Sequence, residues 1–130
     1  MATVASGTVD YMEKTGVDMI APAIGTAHGL YDGKPQINFD LVKALSDLNC
    51  CPVVIHGGTG LSVEEFRRLV SLGAAKINVS TAIKHAYLDT MKALVSGNEL
   101  TYNPLVVDQR IRQGVKDVIL KHMRYFEKEA

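Results

Sequence analysis

Two histidines each follow a short apolar run and sit beside glycine: His28 in GTAHG and His56 in PVVIHGGTG. Imidazole is a good zinc ligand at neutral pH, so two that converge could begin a metal site. A catalytic zinc takes three protein ligands and keeps a position for water or substrate. The sequence offers two well-placed candidates and no evident third. The competing reading is a pair of hydrogen-bonded loop histidines with no metal. After His56 the chain runs Gly57, Gly58, Thr59 and Gly60. Glycine lets backbone N–H groups approach an anion without Cβ obstruction, and Thr59 adds a hydroxyl. Asn78, Ser80 and Thr81 form a second polar turn. The two turns together could clamp a phosphate at helix starts; alternatively, they are tight turns with capping residues.

Other reactive groups read more plainly. His85 lies between lysine and alanine and reads as a surface residue, whereas His122 falls on the apolar stripe of the last helix. Lys76 and Lys84 could form a Schiff base, but without a depressing environment a lysine is a solvated charge. There is no G-x-S-x-G nucleophile turn. Cys50 and Cys51 are adjacent, which disfavours a relaxed disulfide, and no CxxC is present. They read as reduced thiols packed at a helix-to-strand junction, with a metal or redox role as the alternative.

The elements that must hold these groups alternate. Residues 18–24, 52–56 and 75–79 read as strands, although Pro22 weakens the first. Residues 38–49 place Leu41, Val42, Leu45 and Leu48 on one helical face. Ser62-Val63-Glu64-Glu65 fits a capping box opening a helix that Gly73 ends. A helix from Thr81 to Val95 should bury Ile83, Tyr87, Met91 and Leu94. A last helix, 107–127, should present Val107, Ile111, Val115, Val118, Ile119, His122 and Phe126 as its inner stripe. The order β-α-β-α-β-α-α predicts parallel strands with right-handed crossovers. In such folds chemistry sits at the C-terminal ends of strands, where GTAHG, HGGTG and NVST all fall. The first strand-to-helix loop is long, Gly25 to Asn38, and contains GLYDGKPQ.

Composition narrows the function classes. The chain has 130 residues, zero formal net charge and 47% apolar residues. No basic block exists to hold a phosphodiester backbone, so nucleic acid is not a suggested partner. No run approaches the roughly 20 apolar residues of a membrane span. The opening MATVASGTVDYMEK lacks the features of a signal peptide, which makes a cytoplasmic location the default.

Taken in order, GTAHG, HGGTG and KINVST resemble the C-terminal part of class II, zinc-dependent ketose-bisphosphate aldolases, fructose- and tagatose-bisphosphate aldolases among them. The resemblance runs from about Tyr11 to Tyr102, with a weaker tail; residues 1–10 stand apart as a possible leader or junction. It implies an α/β fold, the C-terminal portion of a TIM (β/α)8 barrel, as one partial-barrel domain of about three parallel strands with flanking and C-terminal helices. It also implies zinc as cofactor, with His28 and His56 as metal ligands, and a monovalent cation, Na+ or K+, near the loops. Gly29, Gly57, Gly58 and Thr59 match positions that hold the phosphate of a dihydroxyacetone-phosphate half. Asn78, Val79, Ser80 and Thr81 match further phosphate and enediolate contacts. The implied reaction is zinc-assisted cleavage or condensation of a ketose (bis)phosphate to dihydroxyacetone phosphate and an aldehyde.

Two departures bear on that implication. A complete barrel takes about 250 residues, so the chain is expected to be a fragment, a split product or a truncated piece. The family's catalytic base and third zinc histidine then lie outside it. Open strand edges would call for copies of itself or a complementing chain, and the 130 residues by themselves are expected to lack turnover. Family members also read Tyr-Asp-Pro-Arg where this chain reads Tyr102-Asn103-Pro104-Leu105. Losing that arginine removes a bidentate phosphate partner, which Arg110 or Arg112 could replace. The alternatives are a catalytically incomplete phosphate-binding or self-associating module, and a different phosphate-binding barrel that shares the loops but not both histidines.

Overall fold

The computed structural model describes residues 5–29, 33 and 35–127. By packing, the chain divides into two units, Met1–Val79 and Ser80–Ala130.

The first unit is a parallel α/β arrangement. Its elements are α1 (Ala5–Thr15), α2 (Phe39–Leu48), β1 (Val53–Ile55), α3 (Val63–Ser71) and β2 (Ala74–Ile77). β1 and β2 pair in parallel, with Ile55 opposite Ile77. The chain 18–24, expected as a full strand, joins the sheet only at Ile20, which bridges Val53 in parallel. Ile20 N–H donates to Pro52 C=O at 3.1 Å, and Val54 N–H to Ile20 C=O at 2.8 Å. Two residues on, Pro22 has no N–H with which to continue the ladder. The segment still reaches the core, because Pro22 and Ile24 are buried.

Helix starts in this unit follow side-chain chemistry. Asn38 caps α2 by accepting from Leu41 N–H at 3.0 Å. Leu41, Val42 and Leu45 are then buried, as the spacing requires, while Leu48 is half exposed. The capping box forms in full. Ser62 Oγ accepts from Glu65 N–H at 3.2 Å, and Glu65 Oε2 accepts from Ser62 N–H at 2.8 Å. Phe66 and Leu69 of α3 are fully buried with Val53 and Ile55 of β1 in the same core. Gly73 follows α3 at φ +95°, a left-handed position where glycine avoids the Cβ penalty. Arg68 of α3 lies 4.0 Å over the Phe39 ring at the start of α2, a cation–π contact. α1 was not expected from the sequence; its buried residue is Thr8, so no apolar stripe announces it.

The second unit contains α4 (Thr81–Ser96) and α5 (Pro104–Met123), packed on each other. α5 begins three residues before the expected start and ends four before the expected end. Asn103 accepts from Leu105 N–H at 3.1 Å, and Pro104 occupies the first turn. The Asn-Pro-Leu stretch thus opens a helix. The expected inner stripes hold only in part. Leu94 and Ile111 are buried and Val107, Val115, Val118 and His122 half-buried, but Tyr87, Ile119 and Phe126 are exposed. Periodicity identifies a helical face; two helices packed as a pair cover only a narrow seam of it. Gly114 belongs to that seam, since a Cβ there would strike Thr90 Oγ1. No described helix is long and apolar enough to cross a membrane.

Candidate active site

His28 and His56 meet. Their ring centroids are 5.2 Å apart at an interplanar angle of 58°, and both residues are exposed. The sheet brings them together, because His56 follows β1 directly and His28 follows the segment that bridges β1 at Ile20. The loop carrying His28 is tied at its base. Asn38 N–H donates to Ile24 C=O at 2.8 Å. Gly25, at φ +94°, lies so close to Gln36 that a Cβ would overlap its carbonyl oxygen. Leu30, Tyr31, Asp32 and Lys34 of the expected GLYDGKPQ stretch lie outside the described residues.

The pairing of Ile55 with Ile77 puts the next residues, His56 and Asn78, side by side. The Asn78 side-chain amide lies 3.4 Å from His56 Nε2. This contact was legible in principle: two polar residues that each follow a parallel strand in register must be neighbours. Asn78 N–H also donates to Ile55 C=O at 2.8 Å, carrying the ladder one residue beyond β2.

The glycine loop is held the same way. Gly58 N–H donates to Asn78 C=O at 2.9 Å, and a Cβ on Gly58 would lie 2.8 Å from Ile77 Cγ2 and 2.9 Å from that oxygen. The group that approaches the backbone at Gly58 is therefore the neighbouring strand end. Gly57 is buried at φ +76°, and Gly58–Gly60 form one 3-10 turn before Ser62 caps α3. Gly29 has φ +100° with open space where a Cβ would stand. Thr59, Asn78 and Val79 are partly buried beside these groups in the sequence and fold. Ser80 and Thr81 open α4 in the second unit, and the Ser80 side chain does not cap that helix.

The donor set fits zinc in part. Two imidazoles bound tetrahedrally at a Zn–N distance of about 2.0–2.1 Å put their ring centres about 5 Å apart, close to the spacing here. Among the described residues no three His, Cys, Asp or Glu side chains gather as a metal-binding group. The pair thus accounts for two ligand positions.

The remaining reactive groups have local surroundings of their own. His85 and Lys76 are exposed. His122 Nδ1 donates to Val118 C=O at 2.8 Å within its own helix. The cysteines are free, but Cys50 is exposed rather than packed, because it sits on the turn after α2 instead of in the strand. Burial, then the neighbouring Cys50, hold the Cys51 thiol above its ordinary range, against a lowering backbone hydrogen bond at Ile20. Glu64 is held below the usual carboxylate range, first by its own backbone N–H, then by the Ser62 hydroxyl, with Arg67 adding to the effect.

A parallel sheet with paired imidazoles beside a glycine turn at its C-terminal edge defines an α/β arrangement. The sequence model of fructose-bisphosphate aldolase class-II matches residues 1–130, and the chain belongs to that family. It is 35% identical over 117 residues to a fructose-bisphosphate aldolase of Geobacillus stearothermophilus, covering 90% of this chain and 41% of that protein. It is 36% identical over 118 residues to YdjI of Escherichia coli K12, covering 90% of this chain and 40% of YdjI. The crystal structure of the E. coli YdjI aldolase superposes with a TM-score of 0.78 at 31% identity, over 95% of this chain and 44% of that one. The chain spans about two-fifths of the length of these curated relatives.

Proposed function

We propose that this chain supplies two zinc histidines and the phosphate-holding loops of an aldolase acting on a ketose phosphate, within a (β/α)8 barrel architecture. The observation that carries the proposal is the 5.2 Å separation of the His28 and His56 rings at neighbouring strand ends. In this reading His28 and His56 hold the ion, and the Asn78 amide, 3.4 Å from His56 Nε2, orients that ring. Zinc, when bound, supplies Lewis-acid stabilisation of negative charge developing on substrate oxygens during carbon–carbon cleavage. Gly29, Gly57 and Thr59 line the phosphate of dihydroxyacetone phosphate or the parent ketose phosphate, fixing its carbons relative to the histidines. Gly58 contributes by seating the loop against Asn78, since its N–H is already engaged there. Val79 continues the phosphate contacts, with Na+ or K+ offsetting the charge. Family membership and the order of the three motifs support these assignments.

Leu105, where the family carries arginine, is exposed at the start of α5, so the distal end of the substrate is held otherwise or is uncharged. A second reading, a phosphate-binding module without turnover, is favoured by the two-histidine donor set among the described residues. Calorimetric titration of the 130-residue chain with dihydroxyacetone phosphate, with and without zinc, tests both. Zinc-dependent binding that His28→Ala and His56→Ala each abolish supports the zinc-site reading. Binding indifferent to zinc and to both substitutions supports the module. Robust cleavage of fructose or tagatose bisphosphate by these residues by themselves would refute the incompleteness of the donor set.

A further inference from the structure

The opposite end of β1 from His56 carries a second group of metal-ligating atoms. Cys51 Sγ lies 3.3 Å from Met12 Sδ of α1, thirty-nine residues away in sequence. Cys50, its exposed neighbour, points its thiol toward Leu48 C=O at 3.5 Å. Beside them is an open cleft of about 380 Å³, lined by both cysteines, Ser46, Asn49 and Gly73. Both cysteines thus border one cleft at the start of the strand, and the Met12 thioether stands against Cys51.

We propose that Cys50, Cys51 and Met12 form a soft-cation site that takes Cu(I). Thiolate and thioether sulfurs are soft donors, and that softness selects Cu(I) over hard cations. Zinc in structural sites requires four ligands, whereas no third His, Cys, Asp or Glu joins the two cysteines among the described residues. A monovalent soft ion is satisfied by two thiolates and one thioether. Each thiol releases its proton on binding, so two protons leave per ion and the site carries one net negative charge. The exposed Cys50 and the cleft provide the entry path, and the partly buried Cys51–Met12 contact provides a pre-positioned pair. Packing by itself explains a thiol against a thioether, but not a second, exposed thiol at the next residue on the rim of the same cleft.

The test is anaerobic titration of the whole chain with Cu(I) against a chromophoric Cu(I) chelator, followed by X-ray absorption on the loaded protein. One Cu(I) per chain with three sulfur neighbours is expected. Cys50→Ser and Cys51→Ser should each weaken binding by about 100-fold or more and Met12→Leu by about 10-fold, since changes merely behind a ligand already cost about 10–100-fold. The His28→Ala, His56→Ala double variant should bind Cu(I) like the parent. Nitrogen neighbours, unchanged affinity in the double serine variant, or a Met12→Leu protein that binds as the parent does would overturn the site. Should Met12→Leu disturb α1, the sulfur count in the unmodified protein decides.

Discussion

Gly58 N–H donates to the carbonyl oxygen of Asn78 across 2.9 Å, so the turn after β1 is fastened to the strand end after β2. That bond joins the loop next to His56 to the residue whose amide reaches His56. It also explains the glycine: any side chain at residue 58 would enter space held by Ile77 and Asn78.

Gly58→Ala should therefore destabilise the fold by about 1–3 kcal/mol, the range for overpacking a tight interior. Urea denaturation of the two proteins measures it. A parent-like midpoint would mean that the two strand ends separate at little cost.

Ser62→Ala removes the acceptor for Glu65 N–H and half of the capping box. The loss should be about 0.5–2 kcal/mol, visible as a lower melting temperature with the other helices unaffected.

The Cys51 thiol, held high by burial and by Cys50, should alkylate more slowly than a simple thiol at mildly alkaline pH. Its raised folded value means that its contribution to stability is complete below the unfolded thiol's range and is lost as pH rises through the folded one. Iodoacetamide rates against pH, with peptide mapping, check this. An inflection for Cys51 at the value of the unfolded chain would contradict it.

Glu64 has the opposite sense. Its folded value is depressed, so its small contribution is present above the unfolded carboxylate range and lost as pH falls through the folded one. Glu64→Gln should lower stability slightly at neutral pH and so flatten the fall toward acid pH. An acid limb identical to the parent's would show that the carboxylate does not matter to folding.

Much of this could be read from the sequence where the determining interactions are local. Asn38, the Ser62–Glu65 box and Gly73 act within a few residues, and the helices they bound lie close to where spacing put them. The convergence of His28 and His56 was legible because parallel neighbours stand about 4.8 Å apart. What escaped depended on distant partners or carried no pattern. α1 buries Thr8 rather than an apolar stripe. Pro22 reduced a strand to the single Ile20 bridge. Asn103-Pro104 resembles a family motif in sequence, whereas in the fold it starts a helix. The glycines after His56 suggested a ligand, whereas at Gly58 the close partner is the chain's own backbone.

The central claim, that His28 and His56 share one ion, is tested most directly by zinc titration of the chain labelled with nitrogen-15 at histidine. The account predicts that one ring nitrogen of each residue shifts in the same step, at a single stoichiometric point, while His85 and His122 stay unchanged. A shift in only one of the pair, or two shifts at separate zinc concentrations, would contradict it.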